Sequence, residues 1–583
     1  MNMRSLPTAR GRLLRDRAAA ILINTVGIGI VGLVLLILSY LLSAVLPLSQ
    51  ALTLGAAVPL AEEVAPLPRR HHGPDADGMV RVSDVRSGAL WELEASGTYR
   101  CSRDASFRAL PAPVAAPVRA VDLAENGDVL LVLDARGALW RFTQLASQAC
   151  GLSYMGPAYV QPFVADVLLS ERARPVVVLL DSVTARLRVL LSTTGETLYD
   201  GVLPDAQRLN GLSMADDGSA LQGAVGGQRW LWSVSNPYPE ASWRGLWGRV
   251  WYGGYERPAH VWHPGGEGIG ALSKYGLTPL LWGTFKAALY GMLIAVPVAI
   301  GAAIYTGYFL PQRLRNRVKP AIELLEAFPT VVLGFVAGLW LAPLLSDYLL
   351  FLIIVPLVLI VLPLLLAASH AIAQRLSSRF RRRPPRIAIL VAAYLITCVG
   401  IFWWVPSLEW SLFGGTLGDF LLEIGDLHYE QRNALLVGLA MGFALVPTLF
   451  SIVEDAIFAV PRSLSDASLA LGSTRWQSLS HVVLPAASPA ILSALLIALA
   501  RGLGETMIVL LATGNTPIME AGPFSGLRSL SASLAAELPE AAVGGIQFRV
   551  LFLASLVLFG LTFALNTVAE LFRQRLRYRY AGR

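Results

Sequence analysis

Eight apolar runs, each long enough to cross a bilayer at about 20 residues, limit what this chain can fold into. They cover roughly 18–46, 279–309, 324–344, 348–373, 387–406, 433–457, 487–513 and 550–571. With 55% hydrophobic residues, 15% charged residues and a mean hydropathy of +0.56, the chain is too apolar for an ordinary soluble protein. The expected fold is therefore mainly α, a polytopic membrane helical bundle of about eight spans.

The flanks of the runs set an orientation. Arg4, Arg10, Arg12, Arg15 and Arg17 precede the first run, and Arg313, Arg315, Arg317 and Lys319 follow the second. Arg375, Arg379, Arg381, Arg382, Arg383 and Arg386 follow the fourth, and Arg573, Arg575, Arg577, Arg579 and Arg583 follow the last. With eight spans all these segments fall on one side, so the positive-inside rule predicts cytoplasmic N- and C-termini. Charge in such loops faces lipid headgroups, which argues against reading the formal net charge of +7 as a nucleic-acid surface.

Residues 1–17 read as a basic cytoplasmic tail and 18–46 as a retained anchor, its apolar stretch being longer than that of a signal peptide. Gly27, Gly29 and Gly32 have the spacing of a dinucleotide-binding fingerprint. No strand precedes them, so they are expected to serve close helix packing.

Residues 47–277 have the opposite texture. Short runs such as Val129-Leu130-Leu131-Val132-Leu133 and Val176-Val177-Val178-Leu179-Leu180 alternate with Gly, Asp, Asn and Pro, as strands and tight turns do. By topology this all-β insert is extracytoplasmic. Gly88-Ala89-Leu90-Trp91 recurs 49 residues later as Gly137-Ala138-Leu139-Trp140. A weaker copy places Val189 in the Trp register, and a fourth ends at Trp232. This period suits propeller blades. Four units fit a partial propeller, a small closed ring or an open β-stack.

Three cysteines are too few for a disulfide framework or a zinc site built on Cys. Cys101 and Cys150 occupy equivalent repeat positions, which on neighbouring blades are often too far apart to bridge. Cys398 reads as a small core residue, and His71-His72 as solvated linker. The aromatic segment from Trp243 to Trp262 reads as domain core plus an interfacial belt.

Residues 454–485 join the sixth and seventh spans. Ser465 is placed to cap a short helix entering Asp466–Leu471, and Gly472 to end it. A second helix begins near Thr474, and Pro485 marks the start of the next span. A helix–Gly–helix of this length offers a compact surface to a soluble partner.

This loop resembles the EAA motif of ABC importer permeases. Asp466, Ala467, Ser468, Gly472, Val482, Leu484 and Pro485 fall at its spacing, with Asp, Ser and Val in place of Glu, Ala and Ile. Arg501-Gly502-Leu503-Gly504-Glu505-Thr506-Met507 with Gly514-Asn515-Thr516, Ala321–Leu325 with Phe328-Pro329, and Gly283–Pro297 are similar to the phosphate-specific permeases, particularly the C-type member of their permease pair. The likeness covers about 278–345 and 433–575; the β-rich insert and the added span pair at 348–406 lie outside it. The resemblance implies a type I importer permease domain at 278–583 in a bacterial inner membrane. It also implies a second permease chain, two ATP-binding-cassette ATPase subunits docking at Asp466–Pro485, and an extracytoplasmic phosphate-binding protein. ATP-Mg would sit on the partner ATPase.

The seventh run carries charge at mid-depth, where insertion costs about 2.5–3.5 kcal/mol and residues usually line a path or face a partner. Arg501 and Glu505 are four apart and are expected to share a helix face and form an ion pair. That pair either neutralises itself structurally or holds a guanidinium ready for an oxyanion. Glu323 and Thr506 join them as candidates for the path, and Lys286 either lines it or snorkels outward. The sequence holds no GxxxxGK[ST] loop, HExxH or Gly-x-Ser-x-Gly motif, and no metal-ligand cluster or cofactor site is expected. The expected role is a transporter permease subunit and not an enzyme. Two alternatives stand beside it: a phosphate-responsive sensor or scaffold, and a permease for phosphonate, sulfate or molybdate.

Overall fold

A computed structural model describes residues 9–581 apart from 61–76, 78, 84–89, 102–103, 112–113, 115–116, 125–126, 145–150, 160–162, 172–173, 205–208, 210–211, 216–217, 226, 254, 266–272, 352, 356–357, 359–360, 363–364, 366–386 and 425–428. The chain divides into two compact units, Met1–Thr278 with Glu540–Val557 and Pro279–Pro539 with Leu558–Arg583.

The first unit opens with a helix, Ala9–Val45, followed by β1 (Thr53–Leu54) and β2 (Val58–Pro59). Four antiparallel sheets come next, most of them simple meanders. The first holds β3 (Met79–Ser83), β4 (Leu90–Glu94), β5 (Thr98–Cys101) and β6 (Asp104–Ala109). The second holds β7 (Val118–Ala124), β8 (Val129–Asp134), β9 (Leu139–Gln144) and β10 (Leu152–Tyr159). The third holds β11 (Val167–Ser170), β12 (Val176–Asp181), β13 (Arg186–Leu191) and β14 (Thr197–Val202). The fourth runs β15 (Leu212–Met214), β16 (Ala220–Val225), β17 (Gln228–Ser235) and then β1, whose Thr53 pairs with Ser235, while β2 also pairs with β17. The repeat is real in three dimensions. Trp91, Trp140, Val189 and Trp232 lie in β4, β9, β13 and β17, each opposite an apolar residue of the preceding strand: Val82, Val132, Val178 and Leu221.

The continuous apolar runs have a simple cause. Successive side chains point to opposite faces of a strand, and an inner sheet is covered on both. Leu130 and Val132 of β8 pack with Val80, Val82 and Trp91 of the first sheet. Leu131 and Leu133 pack with Leu168, Val177 and Leu179 of the third. A further core, with Trp232 and Val189, joins the third sheet to the fourth. The described residues thus form four blade-like sheets joined in sequence by three shared cores. Cys101 is disulfide-bonded and Cys398 is free. The bond departs from the expectation that blade spacing disfavours one. Cys150, at the equivalent repeat position, lies outside the described residues, as do His71 and His72.

Seven helices among the described residues are long and apolar enough to cross a membrane: Asp16–Ser49, Thr278–Phe309, Thr330–Asp347, Tyr394–Phe420, Ala434–Phe458, Arg475–Leu503 and Ile546–Arg575. The expected span at 348–373 falls largely outside the described residues. Gly27, Gly29 and Gly32 do not pack against another helix among the described residues, for a Cβ built on any of them would meet nothing within 4 Å. Glycine does that work in the second unit. There Thr278–Ile304 and Ala434–Phe458 approach so closely that a Cβ on Gly438 would lie 2.9 Å from Tyr290 Cβ, and one on Gly442 3.0 Å from Ile294 Cβ.

The seventh expected run is not one helix. Leu484–Leu503 ends where Gly502 and Gly504 bring two poor helix formers within three residues. The short helix Met507–Ala512 follows, then a mostly non-helical stretch to Ser529 and a helix at Leu530–Glu537. Irregular backbone is tolerated at membrane depth only where protein satisfies it. Lys286 helps to do so, donating to the Ser525 and Gly526 carbonyls at 3.2 Å each and to Ser525 Oγ at 2.7 Å. It is buried and fully engaged, so it neither snorkels nor lines an open route.

Candidate functional site

Arg501 occupies the last turn of Leu484–Leu503. Its Nη1 donates to Glu326 Oε1 at 2.7 Å and to Thr448 Oγ1, and Thr448 itself donates to Glu326 at 2.9 Å. Three elements supply this cluster. Glu326 comes from the short 3-10 turn Leu324–Ala327, Thr448 from Ala434–Phe458 just after Pro447, and Arg501 from the helix end. The Arg501 side chain stays 38% exposed, and only its Nη1 takes part in these bonds. A planar cation held on one edge by a carboxylate and open on the other can accept an oxyanion bidentately.

This corrects the expected Arg501–Glu505 pair. The helix stops at Leu503, so Glu505 lies in the break instead of one turn further along a shared face; its carbonyl accepts from Ser531 Oγ at 2.8 Å. Thr506 Oγ1 donates to the Gly504 carbonyl within the same turn at 3.2 Å. Glu323 does not meet Arg501 either: it accepts from Ser451 Oγ at 2.9 Å and lies 3.8 Å from Lys319. Sequence reading chose the wrong carboxylate because i,i+4 spacing presumes an unbroken helix. The missed signals were Glu326, one turn after Glu323 and just before Phe328-Pro329, and Thr448, a polar residue beside Pro447 inside an apolar run.

A second ionic cluster sits where Ala434–Phe458 ends. Glu454, fully buried, accepts from Arg315 Nε, and Lys319 Nζ lies 3.0 Å from its second oxygen as an ion pair without hydrogen-bond alignment. The Arg315 guanidinium stacks 3.5 Å from the Phe458 ring centre, and Lys319 also bonds Asp455. This fastens the helix Gln312–Glu323 to the segment that leads into the next loop.

In that loop a helix spans Arg462–Ala470, beginning directly after Pro461. Ser465 therefore lies inside the helix and does not cap it; its Oγ lies 3.3 Å from Tyr308 Oη and 3.3 Å from Ser478 Oγ. Gly472, at φ +91°, takes the left-handed conformation that ends the helix. Thr474 opens Arg475–Ser478 with a reciprocal capping box to Gln477. A π-helical turn at Leu479–Val483 carries Val482, and Leu484-Pro485 starts the long helix. Asp466, Ala467 and Ser468 fall within the first helix, and Ser468 Oγ lies 2.7 Å from Ser473 Oγ across the bend. Beside the bend Leu471 is 90% exposed and Trp476 65% exposed. Both side chains thus project from a capped bend without burial within the chain. Among the described residues no group of three or more His, Cys, Asp or Glu could hold a metal.

A bundle of membrane spans with a broken helix at depth, a charged cluster beside the break and a stiff loop with protruding apolar residues defines a membrane transport component. Residues 371–578 match the family described as binding-protein-dependent transport system inner membrane component. The membrane half thus resembles a permease domain of that class, and the apolar helices together with these likenesses indicate a multi-pass inner membrane protein. Among curated relatives, the probable ABC transporter permease protein YqgH of Bacillus subtilis (strain 168) is 26% identical over 290 residues, 50% of this chain and 69% of that protein. The phosphate transport system permease protein PstC of Xylella fastidiosa (strain 9a5c) is 28% identical over 305 residues, 52% of this chain and 75% of that protein. Among solved structures, an amino acid ABC transporter aligns over 51% of this chain and 92% of its own at 15% identity and a TM-score of 0.27, too loose a fit to carry an argument.

Proposed function

We propose that this chain is one permease subunit of an ATP-driven importer of inorganic phosphate, with Arg501 on the anion path. The observation that carries the reading is the Arg501–Glu326–Thr448 cluster, a partly exposed arginine at a helix break in a domain whose relatives include phosphate permeases. Glu326 takes the part first given to Glu505: it steadies the guanidinium and competes for it, so that a passing anion is held and then released. Transport needs a site strong enough to load and weak enough to empty. Glu323, Glu505 and Thr506 line the approach as secondary contacts.

Asp466, Ala467, Ser468, Gly472, Val482, Leu484 and Pro485 build the loop that docks on an ATPase subunit, with Leu471 and Trp476 as its anchors. The termini and this loop are cytoplasmic, as the arginine-rich flanks require. A second permease chain completes the pathway, a second ATPase copy binds there, and an extracytoplasmic binding protein delivers phosphate. This chain carries no cofactor; ATP and magnesium belong to the ATPase partner.

The test is uptake of radiolabelled phosphate by proteoliposomes holding the assembled transporter. Arg501→Ala is expected to lower uptake at least tenfold while ATPase subunits still co-purify. Uptake that is undiminished, or that sulfate or molybdate suppresses as well as unlabelled phosphate does, would refute the proposal.

A further inference from the structure

Where the helix Ala9–Val45 gives way to the β domain, the first unit carries an open pocket of about 500 Å³. That lies inside the range of about 300–1,000 Å³ typical of small-ligand sites. Its lining is split by chemistry. Leu42, Val45, Leu46 and Leu553 form one wall, and all four belong to segments apolar enough to cross a membrane. Glu196, Asn236, Ser242 and Gln50 supply polar groups to the same lining. Trp243 stands at the rim, 75% exposed, its ring 5.9 Å from that of Trp247.

Two observations say what the cavity takes. Glu196 is the one charged side chain on the lining, and its Oε2 is buried with no hydrogen-bond donor among the described residues. A buried carboxylate oxygen without a partner is costly, so the site calls for a cationic donor. The apolar wall is also continuous with a helix whose most apolar stretch is unburied within the chain, the kind of surface that lipid covers. Tryptophan concentrates at that depth, where a ring can sit among headgroups.

We infer that this cavity binds a phospholipid with a primary-ammonium headgroup, from the leaflet on the β domain's side. The ammonium meets Glu196, the phosphate is met by the neutral donors of Ser242 and Gln50, and an acyl chain runs along Leu42, Leu46 and Leu553. An anionic lipid would bring negative charge to a lining whose only charge is already negative. The inference does not depend on the phosphate reading.

Native mass spectrometry of the full chain in detergent, titrated with phosphatidylethanolamine or phosphatidylglycerol, tests it. The unmodified chain is expected to retain one phosphatidylethanolamine and to bind phosphatidylglycerol at least tenfold more weakly. Glu196→Gln should erase the preference, and Leu46→Trp, which fills the apolar wall, should weaken both lipids. Circular dichroism of each variant keeps misfolding separate from lost binding. A photoreactive benzoylphenylalanine in place of Trp243, illuminated in native membranes, should gain the mass of a lipid. Equal retention of the two lipids, an unchanged preference in Glu196→Gln, or adducts to protein would each overturn the inference.

Discussion

Glu454→Gln is the most informative single change, because the structure fixes what each lost charge leaves behind. The buried carboxylate holds Arg315 through a charge-assisted hydrogen bond and has Lys319 at 3.0 Å. Removing one member of a buried pair costs about 3–5 kcal/mol when the survivor has no alternative. Here each survivor has one. Arg315 keeps the Phe458 ring at 3.5 Å and lies 4.0 Å from Asp455, while Lys319 keeps its bond to Asp455. The expected loss is therefore at the low end, about 3 kcal/mol. Arg315→Met should cost a similar amount, since it strands the carboxylate on Lys319 alone. The double variant should fall short of the sum by at least about 1.5 kcal/mol, the scale of coupling between contacting residues. Reversible unfolding of the full chain in mixed micelles, followed by tryptophan fluorescence for all four members of the cycle, gives these differences. Additive losses would refute the claim that the cluster acts as one unit clamping Gln312–Glu323 to the end of Ala434–Phe458.

Three further outcomes follow from other parts of the chain. Leu471→Asp or Trp476→Ala should weaken recovery of the ATPase partner at least tenfold without shifting the chain's own unfolding, because both side chains are exposed; a parallel loss of stability would contradict this. Gly283→Ala should destabilise the membrane unit by more than about 1 kcal/mol, since its Cβ would lie 2.1 Å from the Arg528 carbonyl oxygen, and thermal unfolding near the unmodified value would show that the irregular stretch yields. Hydrogen bonds from Arg100 and then Arg81 hold the Glu92 carboxyl below the usual range. That stabilisation is complete above about pH 4.3 and is lost as pH falls through the lowered folded value. Arg100→Met should therefore speed hydrogen exchange in β4, corrected for intrinsic rates, at pH 7 and much less at pH 3; an equal effect at both would remove the electrostatic explanation.

Much of this architecture was legible without coordinates, and particular residues show why. The apolar runs announced the spans because backbone polar groups in lipid must be satisfied within a helix or closed sheet. The 49-residue recurrence of Gly-Ala-Leu-Trp placed Trp91 and Trp140 in equivalent strands, since register and turn chemistry are local. Gly472 and Thr474 revealed a helix end and a helix start for the same reason: caps are written in one or two side chains.

What the sequence determined alone, then, was the inventory: membrane helices, a four-fold β repeat, a helix–Gly–helix loop and an arginine within an apolar run. Only the tertiary structure decided who meets whom. Two glycines broke a helix at Leu503 and took Glu505 off the face of Arg501, and Glu326, 175 residues earlier, arrived in its place. Lys286 turned out to brace the Ser525–Gly526 backbone, not to reach for water. Periodicity reports neighbours along an element, whereas pairing across elements depends on where helices stop and how closely their small residues let them approach.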